Sequence, residues 1–94
     1  MALTFEWDED KAKANLNKHQ VSFEEARSVF NEPLAITIPD PEHSSDESRY
    51  IDIGLSSRGR TLVVVYAERR GNIRIISVRE ATRLERQRYE ESDF

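Results

Sequence analysis

Apolar and polar residues alternate at the start of the chain. In "LTFEW" (3–7) Leu3, Phe5 and Trp7 share one face, which predicts a short strand. Asp8 can then cap a helix over "DEDKAKANLNKH". That helix has acids in its first turn and Lys18 and His19 in its last, the order that complements the helix dipole. Its apolar face is thin: Ala12 and Leu16, with Ala14 beside them. "SFEEARSVFN" opens with Ser22 and Glu25 in capping-box spacing. Phe23, Ala26 and Phe30 fall on one face of this second helix, with Val29 next to it and Pro33 just past its end. "LAITI" (34–38) reads as a strand, and "PDPEHSSDES" (39–48) as a loop.

Three strand signals follow. "RYIDIGL" alternates, with Ile51, Ile53 and Leu55 facing one way. "TLVVVYAE" is apolar on both faces, as a central strand covered on both sides should be. "IRIISV" is the last strand, with Arg74, Ile76 and Val78 on one face and Ile73, Ile75 and Ser77 on the other. The connections "SSRGR" and "RRGN" are short, and Gly71-Asn72 supplies residues that tolerate positive φ. Short connections favour an antiparallel meander. A last helix is expected from near Arg79, where Ser77 and Glu80 have capping-box spacing. The pattern is β-α-α-β-β-β-β-α. It predicts one α+β domain over residues 1–94, an antiparallel sheet of four to five strands flanked by helices.

Composition narrows the classes. The chain has 94 residues, which bounds it to a modest core, and no cysteine, which excludes disulfides and thiolate metal sites. That fits a reducing cytoplasm. The N-terminal segment has no basic stretch followed by an apolar run, so no signal peptide is expected. The apolar runs are far too short for a membrane span.

Charge changes the picture more. The formal net charge is −4, yet residues 1–57 hold 5 Lys/Arg against 12 Asp/Glu, and residues 58–88 hold 9 against 3. All of the basic residues in the second block are Arg, a planar fork of donors suited to phosphate or carboxylate. This asymmetry points to an anionic partner, or to a patch that neutralises the acidic half of the same fold. Arg74, among apolar neighbours, either ion-pairs across the sheet or reaches its edge towards an anion. Arg79, Arg83 and Arg86 would form one stripe on the last helix. A cation in the first turn of a helix opposes the dipole, so Arg79 and Arg83 are better explained by a bound anion. Arg86 and Arg88 suit pairing within the helix, through Glu80–Arg83, Glu85–Arg88 and Arg86–Glu90 spacings.

Few other groups carry chemistry. His43 lies among Asp40, Glu42, Asp46 and Glu47, but without a recognised metal-ligand spacing, and a solvated acidic loop is the better reading. No phosphate-cradling glycine motif is present. RNA can be cleaved without a metal or cofactor, because its 2′-OH attacks the adjacent phosphorus; the protein supplies a base, an acid and cations. His19 or Glu68 could be the base, and Tyr89, Lys18 or His19 the acid or orienting group. Each has a plainer role available: His19 as a helix-end cap, Tyr89 as a rim aromatic, Glu68 as half of an ion pair.

The segments "FEWDEDKAKANLNKHQVSFEEARSVF", "RYIDIGL", "LVVVYAER" and "RIISVREATRLERQRYEE" resemble the BrnT toxins of bacterial type II toxin–antitoxin modules, from about Phe5 to Glu91. The most specific pieces are "KHxVSFEEA" and "RIISxRxATxxERxRYEE". The resemblance implies a RelE-like fold and an RNase that halts translation. It implies neutralisation by a small antitoxin, BrnA, with a ribbon-helix-helix part, in a complex that contacts operator DNA mainly through the antitoxin. It places the family's motif residues at Lys18, His19, Glu68, Arg69, Arg74, Ser77, Arg79, Glu85 and Tyr89. Gln20 stands where the family often has Gly, Val78 where Ala is frequent, and Glu80 where a basic residue is common. The expected catalytic set is His19, Glu68, Arg69 and Arg79, with Lys18, Arg74, Arg83 and Tyr89 contacting RNA and no metal. The other readings are a binding module without catalysis, whose arginines hold an acidic antitoxin segment or nucleic acid, and a purely structural partner in an operon repressor.

Overall fold

A computed structural model describes residues 3–40 and 48–91. His43 and its acidic neighbours Glu42, Asp46 and Glu47 lie outside the described residues. The elements run β1 (Thr4–Glu6), α1 (Glu9–His19), α2 (Phe23–Val29), β2 (Ile36–Pro39), β3 (Ser48–Leu55), β4 (Thr61–Arg69), β5 (Asn72–Glu80) and α3 (Arg83–Glu91). They form a five-stranded sheet in the order β1-β5-β4-β3-β2. The meander β2 to β5 is antiparallel, as the short connections require. β1 joins it in parallel, pairing Thr4, Phe5 and Glu6 with Asn72, Ile73 and Arg74. The sheet is therefore mixed, because α1 and α2 carry the chain away before it enters the meander. β4, apolar on both faces, is the central strand.

Helices α1 and α2 cover one face. Val21, Phe23, Ala26 and Val29 pack there against Leu62, Val64, Tyr66, Ile73, Ile75 and Val78, with Phe5, Trp7 and Phe30 at the margin. The α2 face read from the sequence is the one buried. Gly54 lets β3 approach this layer, since a Cβ would lie 2.9 Å from that of Ala35. Ser22 caps α2 by accepting from the Glu25 amide at 3.0 Å. The Glu25 carboxylate does not return to Ser22. It accepts from the Arg60 guanidinium at 2.5 Å and the Ser56 hydroxyl at 2.7 Å, tying α2 to the β3–β4 turn. These donors hold the Glu25 carboxyl below its usual range against the opposing effect of burial.

Four expectations are corrected. On α1 the buried residue is Asn15, with Ala12 packed against the core as expected, while Leu16 is 48% exposed. Positive φ falls on Arg70 and Gly71, so the β4–β5 turn lies one residue earlier and Asn72 opens β5. The register steps from Tyr66–Ile75 to Val65–Ser77, leaving Ile76 as the extra residue of a β-bulge. Beyond the bulge the alternation flips: Ile73, Ile75 and Val78 face the helices, and Arg74, Ser77 and Arg79 face the other way. Finally, β5 continues to Glu80, and α3 starts only at Arg83. Its capping box is Thr82 and Glu85, with the Glu85 amide donating to Thr82 Oγ1 at 3.2 Å and the Thr82 amide to Glu85 Oε1 at 2.8 Å. Arg79 is thus a strand residue, and the dipole argument applies to Arg83 alone.

β1 ends opposite Arg74, so further along β5 the backbone has no strand beside it on that edge. Asn15 takes that place. Its amide accepts from the Val78 N–H at 3.1 Å and donates to the Val78 carbonyl at 2.9 Å, and its second N–H donates to the Val21 carbonyl at 3.0 Å. One buried side chain satisfies three backbone groups and fixes α1 against β5. Gln20 then ends α1 in the left-handed region at φ 58, a conformation that glycine would adopt more easily. A second buried polar group, Asp52, accepts from the Tyr66 hydroxyl at 3.0 Å. Burial raises the Asp52 pKa, and hydrogen bonds from Thr37 and Tyr66 offset only part of the rise.

Replacing Asn15 with Ala leaves three buried backbone groups without partners, and is expected to cost ~3 kcal/mol or more in urea unfolding. A loss below ~1 kcal/mol would show that water replaces the amide. Asp52 acts through pH. A carboxyl whose pKa is raised by folding favours the native state below its unfolded pKa and loses that contribution as pH rises through the folded value. Asp52→Asn is therefore expected to raise the thermal midpoint at pH 8 by a few degrees and to leave it little changed near pH 4.

Candidate active site at the edge of the last strand

Because Asn15 docks α1 on β5, the neighbouring side chains of α1 line up along that strand edge. Lys11, Ala14, Lys18 and His19 follow one another at steps of about a turn or less over two turns of α1, and join Asn15, Ile76 and Ser77 around an open groove of about 240 Å³. The lining carries two lysines, a histidine and a hydroxyl, and no carboxylate. Three other grooves of the surface each include a glutamate. A concave surface with cations and no carboxylate attracts anions.

Arg79 lies two residues beyond Ser77 on the same strand face, about 7 Å along the chain. Its guanidinium is held end-on: Nη1 donates to Glu85 Oε1 at 2.7 Å and Nη2 to Oε2 at 2.9 Å. Nη1 also donates to the Glu80 carbonyl at 3.3 Å. The Glu85 carboxyl is driven down to about 2, first by the Arg79 hydrogen bonds and then by those from Thr82, against its partial burial. Glu80 points to the helix side of the sheet, where its carboxylate lies 3.7 Å from Arg60. Its charge is turned away from Arg79.

The other expected site residues lie elsewhere. Glu68 and Arg69 end β4, opposite Ile73 and Asn72, while Arg79 is opposite Val63. Along β4, Val63 and Glu68 are five residues apart, about 17 Å. The structure therefore places Lys18 and His19 beside Ser77, two residues before Arg79 on β5, and leaves Glu68 and Arg69 at the other end of β4. Arg69 belongs with Arg49 and Arg74 at the far end of the same sheet face, since Arg49 and Arg74 both flank Ala67. Arg74 donates to Glu6 at 3.2 Å, the ion-paired alternative of the two open to it. Arg83 is exposed at the start of α3. The Tyr89 hydroxyl donates to the Glu32 carboxylate and latches the end of α3 to the α2–β2 connection. None of Arg83, Arg86 and Arg88 forms an ion pair among the described residues, so the expected Glu–Arg pairs along α3 do not form. Lys11 was missed by the sequence reading. Its signal was there, seven residues before Lys18 on the same helical face as Asn15.

Comparison with known proteins now bears on this geometry. The model of a family described as "Ribonuclease toxin, BrnT, of type II toxin-antitoxin system" matches residues 7–85. The chain belongs to the BrnT family. Family membership implies an RNA substrate and an antitoxin partner. The crystal structure of the Brucella abortus ribonuclease toxin BrnT, at 1.1 Å resolution, superposes with a TM-score of 0.69 at 22% identity, covering 87% of this chain and 100% of that one. That likeness carries the fold. No curated protein sequence matches the chain. Among the described residues no helix is long and apolar enough to cross a membrane.

The pair at Arg79 makes a prediction about acid. A depressed carboxyl stabilises the native state above its unfolded pKa and loses that contribution as pH falls through the folded value. The stability difference between wild type and Glu85→Gln is expected to be constant above pH ~5 and to shrink steadily from there towards pH 2. Denaturant titrations of both proteins across that range test it.

Proposed function

We propose that the protein is a metal-independent endoribonuclease that halts translation by cutting RNA, with the scissile phosphate seated where α1 meets β5. The observation that carries this reading is the carboxylate-free groove of Lys11, Lys18, His19 and Ser77, with Arg79 two residues beyond Ser77 on the same strand. Its chemistry matches what RNA cleavage needs. The ribose 2′-OH attacks the adjacent phosphorus, its proton leaves to a base, and the 5′-oxygen departs as it receives a proton. The products are a 2′,3′-cyclic phosphate and a 5′-hydroxyl. His19 transfers the protons, while Lys18 and Arg79 stabilise the phosphorane charge. Arg69 and Arg74, with Arg49, hold the RNA strand away from the cut, and Arg83 contacts it beside Arg79. Glu68, about 17 Å along the sheet from Arg79 and on the helix-facing side, has no part in the chemical step.

The antitoxin would be a ribbon-helix-helix protein of the BrnA kind, acting in the cytoplasm, that neutralises the toxin and carries the complex to operator DNA. A second reading has one observation in its favour: the groove holds a single histidine and no partner acid. In that reading the cations bind RNA or an acidic antitoxin segment without cutting.

Cleavage of RNA by antitoxin-free protein in EDTA separates the two readings. Arg79→Ala and His19→Ala are each expected to lower the rate about 10²-fold or more, and Glu68→Ala by less than about threefold. Tight RNA binding with no products after long incubation would establish the binding module. Wild-type rates in Arg79→Ala would move the site elsewhere.

A further inference from the structure

The geometry points to Glu85 as the positioning residue of this site: its carboxylate grips Arg79 end-on and so turns a defined edge of the guanidinium towards the phosphate. The inference rests on the proposed role of Arg79 and asks what makes that residue effective. A guanidinium has five N–H donors in a rigid plane. Three are engaged: two by the Glu85 oxygens at 2.7 and 2.9 Å, and one by the Glu80 carbonyl at 3.3 Å. The two that remain are Nε–H and the second hydrogen of Nη2. They lie parallel on one edge of the plane, the fork that fits two oxygens of a phosphate. The Arg79 side chain is 41% exposed, so this edge is open to a ligand.

Glu85 is itself fixed. Oε1 accepts from the Thr82 amide at 2.8 Å, and the Glu85 amide is held by Thr82 Oγ1. The capping box of α3 therefore does two things with one carboxylate: it starts the helix, and it orients an arginine on the neighbouring strand. Without that grip Arg79 would be a long side chain sampling several rotamers, and its charge would meet the phosphate without a set direction.

The carboxylate also sets a cost that distinguishes orientation from mere attraction. A negative charge beside a phosphate opposes RNA binding. Removing it should leave binding unchanged or tighter while lowering the rate of the chemical step. Glu85→Gln makes this test cleanly, because Gln serves in a capping box as Glu does, with its carbonyl oxygen accepting from Thr82, and only the ion pair is lost.

The experiment is single-turnover and steady-state cleavage of a single-stranded oligoribonucleotide by wild type, Glu85→Gln, Arg79→Lys and the double variant, with thermal melts to confirm folding. Glu85→Gln is expected to lower kcat about tenfold with KM unchanged or reduced. In the Arg79→Lys background, which has no fork to orient, the same change is expected to leave kcat unaltered, because the coupling runs through Arg79. A wild-type or raised kcat in Glu85→Gln overturns the inference, as does an equal loss of kcat in both backgrounds. Those failures leave Arg79 as a phosphate ligand. Wild-type cleavage by Arg79→Ala would instead remove the site assignment on which the inference rests.

Discussion

The free edge of β5 is the constraint on which this molecule turns. β1 covers only its first three residues, so the backbone of Val78 would end in an apolar layer with nothing to bond. Burying such groups unpaired is expensive, and Asn15 meets the need with one amide. The consequence reaches beyond stability. Once the amide has bonded Val78, α1 can lie in only one register along β5, and Lys11, Lys18 and His19 must face Ser77. A structural hydrogen bond thus assembles the groove that gives the fold its anion-attracting edge.

The bulge at Ile76 does comparable work on the sheet itself. With uninterrupted alternation, Arg74 and Arg79 would point to opposite faces, and one of them would have to enter the core. The extra residue resets the phase, so both stand on the face opposite α1 and α2 while Ile73, Ile75 and Val78 all point inward. The cost is a local break in the ladder beside the groove. α3 shows a different economy. No residue of it is buried, and Leu84 is 66% exposed. It is held at its start by Glu85 with Arg79 and at its end by Tyr89 with Glu32. Its position is set by directional polar contacts rather than by packing.

Much of this was legible in the chain. The α2 face of Phe23, Ala26 and Val29, the doubly apolar β4, the short hairpins and the Asp8 and Ser22 caps each follow from local patterns, and each is observed. The left-handed end of α1 follows from no local pattern; only the resemblance, in which Gln20 stands where the family often has Gly, pointed to that position. The site was half legible. Lys18, His19 and Arg79 could be named, but nothing in their spacing said that Lys18 and His19 meet Ser77 on β5 while Glu68 and Arg69 stand at the far end of β4 from Arg79.

By itself the sequence determined element types, the meander and the residues able to carry cationic and proton-transfer chemistry, because those depend on periodicity over a few neighbours. Only the tertiary structure decided which groups meet. Nothing in the pattern of α1 singles out Asn15, and its role appears only when β5 lies beside it, 63 residues along the chain. The boundary of β5 with α3 was misplaced for the same kind of reason. Ser77 and Glu80 have the spacing of a cap as surely as Thr82 and Glu85 do, and pairing with β4 holds Ser77 to Glu80 in the strand. Local signals offer alternatives of similar free energy, and non-local hydrogen bonds choose between them.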